Sequence, residues 1–203
     1  VPLKKYPEIL FDASKLDANE TTNTYVQAGY TVTSSTDNYH ESGYFSYKLF
    51  NGIIGDEGWI SESDPATVSG SPFNSINSSY IGEWVKLELP KSIKLNHFTI
   101  SSRKGYQGAF QPENYKLFGS INNSTWVELA EVTGQSFPVS DATVTTNVTT
   151  SNYYKYYALV VSKTNDSVVC ISEWELYGYE ESPPAGDTSL DTTLKSRYNL
   201  PET

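Results

Sequence analysis

The sequence predicts an all-β protein, an antiparallel β-sandwich or jelly roll, on three observations. Helical periodicity is nearly absent along its 203 residues. Short β-branched and aromatic runs recur instead, separated by clusters of Gly, Asn, Ser and Pro. Aromatic residues make up 14% of the chain, with 16 tyrosines and 4 tryptophans, so most of the length can build a core. Many strands with turn signals between them and almost no helix fit two packed layers.

Taken in order, residues 1–23 form an N-terminal segment whose Ile9, Leu10 and Phe11 can pack against the body. TYVQAGYTVTSS (24–35) is strand-like, and SYKLF (46–50) fits one helical turn stopped by Asn51-Gly52. In WVKLEL (84–89), Val85, Leu87 and Leu89 face one way and Lys86 and Glu88 the other, as in a half-buried strand. IKLNHFTISS (93–102), NYKLFGS (114–120) and TWVELAEV (125–132) read as further strands. Trp59 and Trp126 are expected in the core, and His97, inside a strand, is expected to be structural. TVTTNVTT (143–150) is more polar and suits an edge, whereas YKYYALVVSKT (154–164) carries apolar groups on both faces and suits a central strand. VVCISEWELYGY (168–179) closes the domain. After Tyr179 the composition shifts to Pro-Pro, acids and small polar residues, so 181–203 is read as a linker to a further domain. The start at Val1, without methionine or leader, reads as a chain excised from something longer.

Charge narrows the partners. A formal net charge of −10 disfavours nucleic acid, and no dense Lys/Arg cluster offers an anionic membrane a docking patch. No run of about 18 apolar residues is present to span a bilayer as a helix. The single Cys170 excludes an internal disulfide and a Cys-rich zinc site. Sequons begin at Asn19, Asn77, Asn122, Asn123, Asn147 and Asn165, a number that glycosylation or an Asn/Ser/Thr-rich composition explains equally. No motif fixes two carboxylates at a catalytic distance, no Gly-x-Ser-x-Gly elbow is present, and a triad would have to use His40 or His97. The chain is therefore read as non-enzymatic.

Three separated stretches carry a resemblance. They are KLFNGIIGDEGW (48–59), then GEWVKLELPKSIKLNHFTISSR (82–103) with QPENYKLFGSINNSTWVEL (111–129), and YYKYYALVVSKTN (153–165) followed by ISEWELYGY (171–179). Their order resembles the discoidin domain, or coagulation factor V/VIII type C domain, and its carbohydrate-binding-module relatives, over roughly residues 24–180. Gln111-Pro112 through Ser120, Trp126, and Glu173 through Gly178 match best. The resemblance implies an eight-stranded antiparallel jelly roll whose loops at one end form a shallow binding face. A narrower likeness, in Tyr6-Pro7, the Thr24-Tyr25-Val26-x-x-Gly29 run and the 187–193 tail, is to discoidin-type domains in structural proteins of large algal viruses.

In that family the turn before the tryptophan helps form a structural calcium loop. The resemblance assigns ligation here to the Leu49 carbonyl, Asn51, Asp56, Glu57 and, from the last strand, Glu173. Calcium takes six to eight oxygens, and Gly-rich loops turn carbonyls toward it. Asn51 replaces the usual Asp, and the interval to Trp59 is one residue longer. The other reading is a plain Asn-Gly turn with acids facing water. Glu173, between Ile171 and Trp174, would then bond to loop amides or lie exposed.

By resemblance, recognition loops lie at 34–47, 59–80 and 102–112, with 164–167 on the rim. Aromatic rings stack on the C–H faces of sugars while polar side chains read hydroxyls. This singles out His40, Tyr44, Arg103, Tyr106, Phe110 and Asn165. Each has a bland alternative: Tyr44 and Phe110 as packing anchors, Arg103 paired with an acid such as Glu113, His40 merely solvated. Lipid binding through Phe73 and Phe110 is opposed by the acidic charge. The expected function is a non-catalytic, extracellular or virion-surface adhesion module for cell-surface or matrix glycans. It would bind weakly, at about −4 to −7 kcal/mol per site, and gain avidity from several copies in a longer protein. The alternatives are an assembly domain of a virion or extracellular fibre, or an appendage of a secreted glycoside-processing enzyme.

Overall fold

A computed structural model describes residues 1–37, 43–62, 76, 80–105 and 110–181. Among them the strands are β1 (Lys4–Tyr6), β2 (Asp17–Asn19), β3 (Thr24–Gln27), β4 (Tyr30–Ser34), β5 (Trp59–Ile60), β6 (Glu83–Ser101), β7 (Asn114–Ser120), β8 (Val127–Val132), β9 (Thr143–Asn147), β10 (Tyr154–Lys163), β11 (Cys170–Ile171) and β12 (Glu173–Glu180). Every pairing is antiparallel. The eight strands of four residues or more are β3, β4, β6, β7, β8, β9, β10 and β12. The other four are short edge or ribbon pieces that no alternating pattern announces. Among the described residues helix is confined to three 3₁₀ turns, the last being Ser46–Phe50, where SYKLF was expected to turn.

Strand β6 organises the sandwich. Its first half pairs with β4 and β10 in the layer β2-β3-β4-β6-β10-β7-β8, and its second half pairs with β12 and β9, with β1 added beyond β12. The sequence divides this stretch into two strands at Pro90, yet the chain runs through as one strand of 19 residues. Proline is tolerated because the register on β10 skips from Glu88 to Ile93, so no partner asks Pro90 for an N–H. Both ends of β6 therefore emerge at one pole and its bend at the other.

Alternation fills the interior between the layers. Val85, Leu87, Leu89, Ile93, Leu95, Phe98 and Ile100 of β6 meet Tyr115, Leu117, Tyr157, Leu159, Trp174 and Leu176, all at most 2% exposed. A fully buried side chain of this size contributes about 1.5–3 kcal/mol. Polar tips are accommodated: Tyr157 donates its hydroxyl to the Ile93 carbonyl at 2.6 Å, and Tyr25 to Asp37 at 2.6 Å. Phe11 packs on Phe50 with ring centroids 5.9 Å apart and Phe50 on Trp174 at 5.6 Å, which draws the N-terminal segment into the core. Trp59 is fully buried, as expected. Trp126 is not in this core. It lies half-buried on the outer face of the first layer against a smaller cluster of Trp84, Phe118, Ala158 and Val160, because it shares the parity of Glu128, which pairs with outward-facing Phe118. His97 stacks on Tyr177 at 4.4 Å, a strand-to-strand contact.

The β3–β4 hairpin turns on two residues, Ala28 at φ 51° and Gly29 at φ 83°. This left-handed pair suits Asn-Gly, and an alanine there costs about 1 kcal/mol. Ala28→Asn is expected to stabilise the domain by about 0.5–1 kcal/mol, read as a rise of roughly 2–3 °C in Tm; a fall would contradict the turn assignment.

Candidate functional site

At the pole where both ends of β6 emerge, β5 and β11 form a two-stranded ribbon with Ile60 opposite Cys170. Each edge is extended by one further residue. The Tyr44 carbonyl accepts from Ile60 N at 3.3 Å, and the Phe110 carbonyl accepts from Cys170 N at 2.7 Å. At about 4.8 Å per step this sets Tyr44 and Phe110 at opposite edges of the ribbon, roughly 14 Å apart. Both side chains are half-buried. The turn after β10 lies beside this row, because Glu113 N donates to the Lys163 carbonyl at 2.9 Å. Asn165, exposed in that turn, lines a recess of about 570 Å³ with Asn114, Lys163 and Asp166.

Arg103 does not present its guanidinium outward. It is 6% exposed, stacks 4.2 Å from the Tyr44 ring centroid, and donates Nε and Nη2 to the Asp56 carbonyl at 3.2 and 3.0 Å. The carbonyl and the aromatic face hold the cation in place. Glu113, the acid considered as its partner, instead pairs with Lys163 at 2.7 Å. Arg103 thus ties the 55–58 loop to Tyr44 and fixes the pose of that ring. Of the six residues expected to contact ligand, Tyr44, Arg103 and Phe110 are brought together and Asn165 flanks them; His40 and Tyr106, like Phe73 and the 182–203 tail, lie outside the described residues. Burial pushes the Cys170 thiol up to about 12 against the pull of the Arg103 charge, so it stays protonated and inert.

The residues assigned to calcium gather around one turn, where Asn51 and Glu57 are bonded to neighbouring groups. Leu49 is fully buried in the 3₁₀ turn. Asn51 Oδ1 accepts from Ile53 N at 2.9 Å, and its Nδ2 donates to Glu57 Oε2 at 2.9 Å. Lys48 Nζ lies 3.2 Å from the same Glu57 oxygen. The Asp56 carboxylate is 79% exposed and faces Lys104 at 3.8 Å, while its carbonyl serves Arg103. Glu173 Oε1 accepts from Gly52 N at 3.1 Å, and its buried Oε2 has no partner. Burial pushes Glu173 up to about 8, only partly offset by the Gly52 bond, so at neutral pH the carboxyl is largely protonated. Among the described residues no three His, Cys, Asp or Glu side chains converge. The Lys48 ammonium at Glu57 and the bonds within the turn at Asn51 commit those side chains, while the buried Glu173 Oε2 is left without a partner.

Several residues that no sequence signal marks hold this pole together. Ser172 Oγ accepts from Gly55 N at 2.7 Å and donates to the Ile53 carbonyl at 3.2 Å, pinning the turn to the gap between β11 and β12. Asp37, 3% exposed, accepts from Tyr25, Ser34 and Ser46, and burial raises its pKa despite those bonds. Glu83, fully buried, accepts from the Ser35 and Thr36 hydroxyls. The indole of Trp59 donates to the Thr36 carbonyl at 2.8 Å, joining this clip to the ribbon. Only the fold brings these partners within reach, and a short polar residue in a loop looks the same either way.

No family model and no curated protein matches the sequence. Solved structures do match the fold. A family 32 carbohydrate-binding module of Clostridium perfringens, in complex with GalNAc-β-1,3-galactose, superposes with a TM-score of 0.55 at 14% identity, covering 73% of this chain and 94% of that one. The F5/8 type C domain of a Bacteroides fragilis protein gives 0.58 at 14% identity, over 78% of this chain and 97% of that one. The C-terminal domain of a chitobiase from Bacteroides fragilis gives 0.55 at 14% identity, over 78% and 99%. No helix among the described residues is long and apolar enough to cross a membrane. The β6-centred sandwich with its ribbon and loop pole is the discoidin-like, F5/8 type C fold, shared with family 32 carbohydrate-binding modules.

Proposed function

We propose that this domain is a non-catalytic glycan-binding module, displayed outside the cell or on a virion, which docks neutral sugars across the Tyr44–Phe110 row with Asn165 at its edge. The observation that supports this most is the placing of Tyr44 and Phe110 at the two edges of one ribbon, with Arg103 stacked on Tyr44, at the loop pole of a fold whose solved examples include a sugar complex. A ring held flat by a buried guanidinium offers a rigid platform for a sugar's C–H face at little entropic cost. Such shallow sites bind in the millimolar to tens-of-micromolar range, about −4 to −7 kcal/mol, and several copies in one protein would supply avidity. A glycan array, with product analysis on each responding glycan, is expected to show saturable binding without turnover. Turnover would contradict the non-catalytic part. Silence across the array would favour an assembly domain of a virion or fibre.

The 51–58 loop, in this reading, is braced by the Lys48 ammonium and neutral Glu173 instead of calcium. Millimolar calcium or a chelator is then expected to move Tm by less than about 1 °C. A resident ion at 100 times its Kd would add about 2.7 kcal/mol, a shift of several degrees.

A further inference from the structure

The opposite pole, where β6 bends at Pro90, carries a second recess that the loop-end reading does not use. Its volume is about 720 Å³, and it lies between the β7–β8 turn and the segment leading into β10. Seven residues of strand at about 3.3 Å each put it roughly 20 Å from the loop pole. Its walls combine the half-buried Tyr153 ring, the exposed apolar side chains of Ile121 (66% exposed) and Val127 (46% exposed), and the amides of Asn122 and Asn152.

Local hydrogen bonds fix which end of each amide is on offer. Asn122 Oδ1 accepts from Ser120 Oγ at 3.2 Å, Ser124 N at 3.0 Å and Thr125 N at 2.9 Å, so its oxygen is saturated and its NH₂ remains to donate. Asn152 is the converse: its Nδ2 donates to the Tyr154 hydroxyl at 3.4 Å, leaving Oδ1 to accept. A pre-oriented donor and acceptor beside an aromatic ring and aliphatic edges match a molecule with an apolar C–H face and hydroxyls that both give and take hydrogen bonds. Glu181 on the wall repels anions. We propose that this recess is a second binding site, for neutral saccharides. A domain with one sugar site at each pole would bridge two glycan chains instead of merely attaching to one.

The test is a ¹⁵N-resolved NMR titration of bacterially produced protein, whose sequons are bare, with galactose, N-acetylglucosamine and cellobiose up to about 50 mM, above the millimolar constants of shallow sites. At least one of these sugars is expected to shift the Asn122, Thr125, Asn152 and Tyr153 amides saturably. Tyr153→Ala and Asn152→Ala should each weaken that response about tenfold without moving the Tyr44, Ile60 or Cys170 amides or the Tm. The proposal is overturned if none of the three sugars shifts these amides, if the variants leave the response intact, or if sialic acid produces it as strongly as the neutral sugars. The two poles report separately. A response at the loop pole alone sinks this second site, whereas a response here alone supports it and sinks the loop-end reading.

Discussion

Glu173→Gln is expected to flatten the pH dependence of stability and to leave the domain more stable than wild type at pH 9. The carboxyl ionises near 4.5 when unfolded and near 8 when folded. Between those values the native state holds a proton that the unfolded state has released. Stability therefore falls as pH rises through that window, and the loss is complete above about 8. At about 1.4 kcal/mol per pKa unit, the shift from 4.5 to about 8 sets an upper bound of about 5 kcal/mol on the loss by pH 9. Glutamine keeps an oxygen for Gly52 N but buries an NH₂ where Oε2 has no partner, at a cost of about 1 kcal/mol. The two curves should cross: the variant is slightly weaker at pH 5 and clearly stronger at pH 9 in urea unfolding. Were Glu173 ionised and ligating a cation, the variant would be weaker at both pH values, so this crossing also tests the proposed calcium-free loop.

Gly58→Ala should be far more damaging than its size suggests. Gly58 has φ 131°, and a Cβ there would sit 2.1 Å from the Ile171 carbonyl oxygen and 2.6 Å from Ser172 Cα. Those atoms are backbone and cannot swing aside. The loop lies directly on the β11–β12 junction, so relief of the clash must lift it away and take the β5–β11 ribbon with it. A loss of about 3 kcal/mol or more follows, a Tm drop of roughly 6–12 °C, accompanied by loss of sugar binding at the loop pole. Gly105→Ala provides the contrast: at φ 81° it strains the backbone, but a Cβ meets nothing within 4 Å, so only about 1 kcal/mol is expected. Equal losses at the two positions would contradict this account of the ribbon.

What could be read from the sequence follows the range of the forces involved. Strand periodicity is local, so WVKLEL, NYKLFGS and YKYYALVVSKT fall where their alternation places them. Pro90 looked like a boundary because a proline's missing N–H is visible in sequence, whereas the register skip that tolerates it is not. Trp126 matched the pattern of a buried residue, yet the face it occupies depends on the register of β8 on β7. The site was less legible. KLFNGIIGDEGW has the outline of a cation loop, but what Glu57 meets is decided by Lys48, three residues before the turn and folded back onto it. Arg103 likewise looked like a ligand reader because charge in a loop suggests exposure, while its stacking on Tyr44 joins residues 59 positions apart. That Tyr44, Arg103 and Phe110 lie at the loop pole was within reach of the sequence; the groups they bond to were not.

The most direct test of the central claim is calorimetric titration of the glycan that responds most strongly on the array into wild-type protein and into Tyr44→Ala. The account predicts a saturable isotherm whose loop-pole component weakens about tenfold or more in the variant, while the protein stays folded with a Tm lowered by roughly 4–8 °C, the cost of about 2 kcal/mol for baring the Arg103 guanidinium. An unchanged isotherm in a folded Tyr44→Ala protein would contradict it.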